Sequence, residues 1–159
     1  MTTAFGNRAP TLADVSKLPY TEMFIKEVMR MYPPVWLFGR DVVDTVELGG
    51  YLLSKGSTIM ISPHVMHRNP QYFPEPERFD PERFSAEHEE QRHKFAYVPF
   101  SSGPRVCIGN SFALLEARLL LATIVPRYHL KLVEGHRVET EVLMTQHVKG
   151  GLQVELVPR

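Results

Sequence analysis

Cys107 is the only cysteine among the 159 residues, and its neighbours decide what chemistry it can do. It lies in Phe100-Ser101-Ser102-Gly103-Pro104-Arg105-Val106-Cys107-Ile108-Gly109, directly ahead of a run from Asn110 to Val125 dominated by Ala, Leu, Ile, Val and Phe. That run predicts a mostly buried helix ended by Pro126. Cys107 is therefore expected at a helix N-terminus, where free backbone N–H groups and the positive end of the dipole favour an anion. Thiolate is the form of cysteine that binds metals or attacks electrophiles. Arg105 adds a cation two residues upstream, and the flanking glycines allow a flat, bulky group to come close to the backbone.

A lone thiolate cannot build a zinc or iron–sulfur site, which takes several protein ligands. It can supply the axial ligand of a haem, whose other four iron bonds come from the porphyrin. Two other readings of the same residue are a buried, inert cysteine and a nucleophile activated by His93 or His129. The five positions Phe100, Gly103, Arg105, Cys107 and Gly109, in the pattern Phe-x-x-Gly-x-Arg-x-Cys-x-Gly, resemble the haem-binding signature of the cytochrome P-450 family.

The elements that must hold this loop are legible in outline. Leu12 to Lys17 is expected as a short helix capped by Thr11, after a loose lead-in over residues 1–10. From Tyr20 to Met31 the apolar residues Tyr20, Met23, Phe24, Val28 and Met31 share one helical face, and Pro33-Pro34 stops the helix. Glu22 and Lys26 read as a solvated i,i+4 pair. Glu27 is anomalous because it projects inside the apolar stripe, with Arg30 three residues on. A buried carboxylate must be paired and hydrogen-bonded.

Short β-like runs follow at Val42-Val43, Val46–Leu48, Tyr51–Leu53 and Ser57–Ile61, with Gly49-Gly50 as a hairpin turn. Ser62 to Arg68 reads as a short helix. Its His64 and His67 lack a third ligand and are taken as packing or surface residues. Four prolines fall between Pro70 and Phe84, which rules out regular structure, while Tyr72, Phe73, Phe79 and Phe84 say that the segment packs. Ser85 to Lys94 is polar and reads as an exposed loop or short solvated helix. Beyond Pro126, Tyr128–Val133, Val142–Thr145 and Leu152–Val157 read as strands, with a turn at Gly150-Gly151. The fold class is α+β with helix the larger share.

With 18 basic and 18 acidic residues the chain is neutral, which argues against nucleic acid as a partner. No window is apolar enough for a membrane span. A single cysteine excludes a disulfide framework and suits a reducing compartment, so a cytoplasmic location is expected, with an anchor outside this stretch left open.

Upstream of the cysteine signature, Glu27-x-x-Arg30 is similar to the family's Glu-x-x-Arg helix, and Phe79-Asp80-Pro81-Glu82-Arg83-Phe84 to its Phe-x-Pro-x-Arg-Phe segment. Pro-Glu-Arg-Phe occurs twice, at Pro76 and Pro81, and only the second copy carries the matching lead. The resemblance thus implies a Glu27–Arg30–Arg83 network, with Arg78 outside it; the alternative is an exposed loop arginine. It also implies that the whole chain is the C-terminal portion of one cytochrome P-450 haem domain. Cys107 would be the iron ligand, its sulfur accepting from backbone N–H groups that include Gly109. Thiolate donation favours O–O cleavage. Phe100 would pack beside the sulfur, and Arg105 and Arg40 would meet haem propionates, a surface strand residue being the other reading of Arg40. Val35, Trp36 and Leu37 would touch an apolar small-molecule substrate, with the loop around Gln146 to Val148 as a second candidate; core packing explains Trp36 equally well.

The implied activity is monooxygenation, with electrons from a flavin reductase or a ferredoxin steered by Arg92, Lys94 and Arg118. Similar enzymes are more than twice as long and carry their oxygen-activating acid–alcohol pair on a distal helix not seen here. The chain alone is therefore expected to be inactive, and a non-catalytic remnant is the alternative.

Overall fold

A computed structural model of the chain describes residues 8–159. Of the lead-in expected over residues 1–10, the first seven therefore lie outside the described residues. Arg8 is held, donating to both oxygens of Asp14 at 2.6 and 2.8 Å. The Asp14 carboxylate also accepts from the N–H and hydroxyl of Thr11 at 3.0 and 2.8 Å, and this capping starts the 3-10 helix Leu12–Lys17. Arg8 first, then Thr11, hold the Asp14 carboxyl well below the usual carboxylate range.

Helix α1 (Pro19–Met31) opens on a proline, whose fixed φ suits the first turn and whose missing N–H is not needed there. It ends before Pro33-Pro34. Its buried side chains are Ile25, Glu27, Arg30 and Met31, which corrects the expected stripe: Tyr20 is exposed, and Phe24 lies edge-on to Phe79 at 5.4 Å. The helix is turned so that its charged pair, rather than its largest apolar residues, faces the rest of the chain.

Strand β1 (Phe38–Asp41) precedes the Val42-Val43 run, which is not itself a strand. The hairpin of β2 (Val46–Leu48) and β3 (Tyr51–Leu53) turns at Gly49 and Gly50, whose φ values of 57° and 82° lie in the left-handed region that favours glycine. Strand β4 (Thr58–Ile61) then pairs antiparallel with β1, setting Arg40 opposite Ile59. Helix α2 (Pro63–Met66) is capped by the Ser62 hydroxyl. The proline-rich segment runs as turns into a 3-10 helix at Pro81–Phe84, and α3 (Ala86–Gln91) follows.

Phe73, Phe84 and Ala96 form the apolar core, with Met23, Tyr72 and Tyr97 packed against it. After a 3-10 turn at Gly103–Arg105, α4 (Asn110–Ile124) leads to β5 (Tyr128–Leu132), β6 (Thr140–Val142), β7 (Gln146–Val148) and β8 (Val154–Pro158). β5 pairs with β8 and β6 with β7, all antiparallel. The second substrate candidate, Gln146 to Val148, is thus a strand rather than a loop.

The largest correction concerns α4. It was expected to be mostly buried, yet none of its residues is. It packs on α1 and the first 3-10 helix and leaves apolar residues such as Phe112 and Leu120 exposed. Composition records that a helix has apolar surface to bury; it does not supply the neighbours that bury it. The architecture is α+β, with more residues in helices than in strands.

Candidate functional site

The foundation of the site is a buried charge cluster. Glu27 and Arg30 are fully buried, three apart on α1, so their side chains meet on one face. Arg30 donates Nε to Glu27 Oε2 at 2.7 Å and Nη2 to Oε1 at 2.9 Å, and the Asp80 N–H donates to Oε1 at 2.8 Å. Two of the three remaining Arg30 protons reach the carbonyls of His67, at 2.9 Å, and Arg78, at 3.3 Å. Four of the five Arg30 protons and both Glu27 oxygens are thus engaged, which offsets much of the cost of taking two charges out of water. Arg83 stands 3.7 Å from Glu27 Oε1 and is 10% exposed, whereas the Arg78 side chain is 64% exposed and pairs with Glu75. Two identical tetrapeptides therefore place their arginines in opposite environments.

The Cys107 turn follows Val98, whose N–H bonds the ring of His67, the residue whose carbonyl Arg30 engages. The Cys107 N–H donates to the Phe100 carbonyl at 2.9 Å, and its carbonyl accepts from Asn110 at 3.4 Å. This closes a loop in which Ser101 (φ 63°) and Gly103 (φ 68°) adopt left-handed backbone. A non-glycine residue in that region is a local strain that the surrounding bonds must hold. Cys107 lies in the turn just before α4, whose N-cap is Gly109, and its thiol is free and exposed, so the buried, inert reading does not hold. A Cβ added at Gly109 would come within 3.8 Å of the sulfur. Ile108 is fully exposed beside it. Arg105 is exposed and has no hydrogen bond or ion pair among the described residues.

Arg40 belongs to the same locality. It donates to the Ser101 hydroxyl at 2.6 Å and stacks on Phe38 at 4.8 Å. The strand and the loop enclose an open cleft of about 220 Å³ lined by Phe38, Arg40, Ile61, Phe95, Val98 and Ser101 among others. Ser101 was not singled out from the sequence; only the fold brings it to Arg40.

The candidate substrate segments also meet. The Trp36 indole N–H donates to the Leu143 carbonyl at 3.1 Å, and the Gln146 N–H to the Pro34 carbonyl at 2.8 Å. Val35 is exposed, and Trp36 and Leu37 half-buried.

Three cations read as solvated or as steering an electron donor are structural. Lys26 bridges Glu22, at 3.3 Å, and Glu89, at 2.9 Å, and Arg118 reaches Glu22 at 3.0 Å with only 18% exposure. Arg92 covers the Phe73 and Phe84 rings at 4.7 and 4.8 Å and donates to the Arg83 carbonyl. Of the three cations proposed to steer a partner, Lys94 alone remains exposed. His93 and His129 lend no support to a nucleophile. His93 accepts from the Phe95 N–H at 3.3 Å, His129 sits in β5 opposite Val157, and among the described residues no imidazole hydrogen-bonds the Cys107 sulfur. His67, read as a packing or surface residue, is fully buried and accepts the Val98 N–H on Nε2 at 2.9 Å.

This arrangement is that of the haem domains of a known class. The chain overlays the cytochrome P450DA heme domain with a TM-score of 0.90 at 26% identity, covering 97% of this chain and 34% of that one. It overlays the retinoic acid bound cyanobacterial CYP120A1 with a TM-score of 0.87 at 31% identity, covering 94% and 35%.

The cytochrome P450 family model matches residues 1–153, and the chain belongs to that family. It is 42% identical to the probable cytochrome P450 4aa1 of Drosophila melanogaster over 97% of this chain and 30% of that protein. It is 46% identical to cytochrome P450 4V2 of Homo sapiens over 79% and 24%, and 41% identical to cyclooctatin synthase of Streptomyces melanosporofaciens over 88% and 30%. The chain thus spans less than a third of the length of these relatives. Among the described residues no helix is long and apolar enough to cross a membrane.

Proposed function

We propose that this chain forms the thiolate side of a haem site, as the C-terminal portion of one cytochrome P450 haem domain, with Cys107 as the axial iron ligand. The observation that carries the reading is the exposed free thiol on a turn whose backbone is tied to Phe100, beside the exposed apolar Ile108 and Phe112. A flat, apolar, anionic group that needs one protein ligand fits these residues. The donor is single and soft, the surface around it is apolar, and at Gly109, against the sulfur, there is no side chain.

Each residue then has a defined task. The Phe100 carbonyl fixes the Cys107 N–H, and with haem in place its ring would pack beside the sulfur. Gly103 permits the left-handed turn, and Gly109 leaves room beside the thiolate, although the expected bond from its N–H to the sulfur is not formed in this structure. Arg105 and Arg40 would hold the propionates, and the Ser101 hydroxyl accepts from the Arg40 guanidinium. Glu27, Arg30 and Arg83 hold the base on which the turn is built. Val35, Trp36 and Leu37, pinned to the β6–β7 hairpin, line the substrate side. When bound, the haem supplies the redox and oxygen chemistry by which one oxygen atom is inserted into an organic substrate.

The substrate class is apolar, supported by the exposed Val35 and by the relative whose structure holds retinoic acid, a long polyene. The electron donor is a reductase or a ferredoxin, with Lys94 the remaining exposed cation of those weighed. No nucleic-acid partner is proposed for a neutral chain, and the lone thiol accords with a cytoplasmic setting. Turnover belongs to the greater length that the relatives possess; these residues alone are inactive in this reading.

The deciding experiment is haem reconstitution followed by reduction and carbon monoxide binding. A thiolate-type Soret band that disappears in Cys107→Ser is the expected result. The same band in the variant overturns the assignment.

A further inference from the structure

Between the buried ion pair and the Cys107 turn stands one side chain that neither the family motifs nor the proposed haem contacts include. His67 is fully buried at the end of α2. Its carbonyl accepts from Arg30 Nη1 at 2.9 Å, and its ring Nε2 accepts from the Val98 N–H at 2.9 Å, across 31 residues of sequence. Tyr97 packs over the ring at 4.9 Å and Phe73 meets it edge-on at 6.3 Å. Val98 begins the stretch whose Phe100 carbonyl takes the Cys107 N–H. The bonds therefore run Glu27 to Arg30 to His67 to Val98, and on through two residues of backbone to Phe100 and Cys107.

We propose that His67 is a positioning residue that fixes the Cys107 turn to the buried Glu27–Arg30 pair by accepting the Val98 N–H on Nε2. For the ring to accept there, its proton must reside on Nδ1. Nδ1 is buried without a hydrogen-bond partner, so the ring keeps an unsatisfied donor in order to make the Nε2 bond. Burial, followed by the charge of Arg30, pushes the imidazole down to about 4, in keeping with a ring held neutral. A side chain present only to fill space would show no preference between the two nitrogens, and Phe would replace it. The proposal rests on the haem reading only where it concerns iron; the bond network is independent of it.

The test compares three variants of the full chain. In His67→Gln the amide oxygen reaches the position of Nε2. In His67→Asn it reaches that of Nδ1 instead, and in His67→Phe the ring volume is kept and the acceptor removed. Amide exchange at Val98 and Cys107 is expected to accelerate by about tenfold or more in the Phe and Asn variants and to stay near wild type in the Gln variant, with the β5–β8 ladder unchanged throughout. In haem-loaded protein the Phe and Asn variants are expected to lose part of the thiolate-type Soret band, and the Gln variant to retain it.

Equal exchange in wild type and His67→Phe, or a Gln variant that behaves as Phe does, overturns the proposal. Should the variants fail to fold, nitrogen-15 spectra of the wild-type ring decide: a proton on Nδ1 and a coupling from the Val98 amide to Nε2 support it, and a proton on Nε2 overturns it. Cys107→Ser keeps the two readings separable, because it removes the thiolate band while leaving exchange at Val98 as in wild type. A chain that takes up no haem defeats the haem reading alone.

Discussion

Arg83 stands 3.7 Å from the Glu27 carboxylate, while Arg78, in an identical Pro-Glu-Arg-Phe tetrapeptide five residues earlier, pairs with Glu75 at 3.3 Å near the surface. Sequence context separates the two copies, since only Arg83 follows Phe79-Asp80-Pro81. In the structure, Pro81 starts a 3-10 helix that swings Arg83 inward, and the Asp80 N–H just before it binds the same carboxylate.

Arg83→Ala should therefore cost about 1–3 kcal/mol, by removing a nearly buried cation from a buried carboxylate that keeps Arg30. Arg78→Ala should stay within about 0.5 kcal/mol, as an exposed pair does. Denaturant unfolding of both variants checks this, and a larger loss for Arg78→Ala would reverse the register.

Glu27→Ala is the harsher change. It strands the fully buried Arg30 guanidinium and removes the acceptor of the Asp80 N–H, for an expected loss of about 3–5 kcal/mol. Circular dichroism during thermal unfolding measures it. An unchanged midpoint would mean that water enters the site.

The same chain shows how far residue types alone lead. The Glu27–Arg30 spacing was legible because a carboxylate inside an apolar stripe has few explanations. The hairpin at Gly49-Gly50 was legible because its backbone needs glycine. His67 was not, because its partner is a backbone N–H 31 residues away, and a backbone group leaves no mark on sequence. Arg92 was misread because it sits in a polar run, yet the rings it covers, Phe73 and Phe84, come from elsewhere in the chain. For α4 the residues announce burial, but the packing of this chain leaves its surface open.

Arg92→Ala should consequently destabilise the chain by about 1–2 kcal/mol, through lost cation–π contact and packing on two core rings. Lys94→Ala should have little effect, although both stand in the same charged stretch. Parallel urea titrations distinguish them; equal midpoints would return Arg92 to the solvated class.

His67 also makes stability depend on pH. The folded ring protonates near pH 4, whereas an unfolded imidazole does so near pH 6.5. Above that range the group contributes no slope. As pH falls from about 6.5 towards 4 the unfolded chain binds a proton that the folded chain refuses, so stability drops, by on the order of 3 kcal/mol in full. The difference in unfolding free energy between wild type and His67→Gln, followed from pH 7 to 4.5, should change in that window. A pH-independent difference would refute the prediction.

The bond from the Trp36 indole to the Leu143 carbonyl spans 107 residues, and that from Gln146 to Pro34 spans a similar stretch. Closing so large a loop costs entropy that grows with the length of chain between the partners. The Trp36 carbonyl is held locally, accepting from the Ser62 hydroxyl at 3.0 Å and the His64 N–H at 3.4 Å, so during synthesis the Val35–Leu37 stretch is anchored on one side well before Leu143 and Gln146 emerge. The segment proposed to face substrate is thus fastened in two stages, first by near neighbours and then by the distant β6–β7 hairpin.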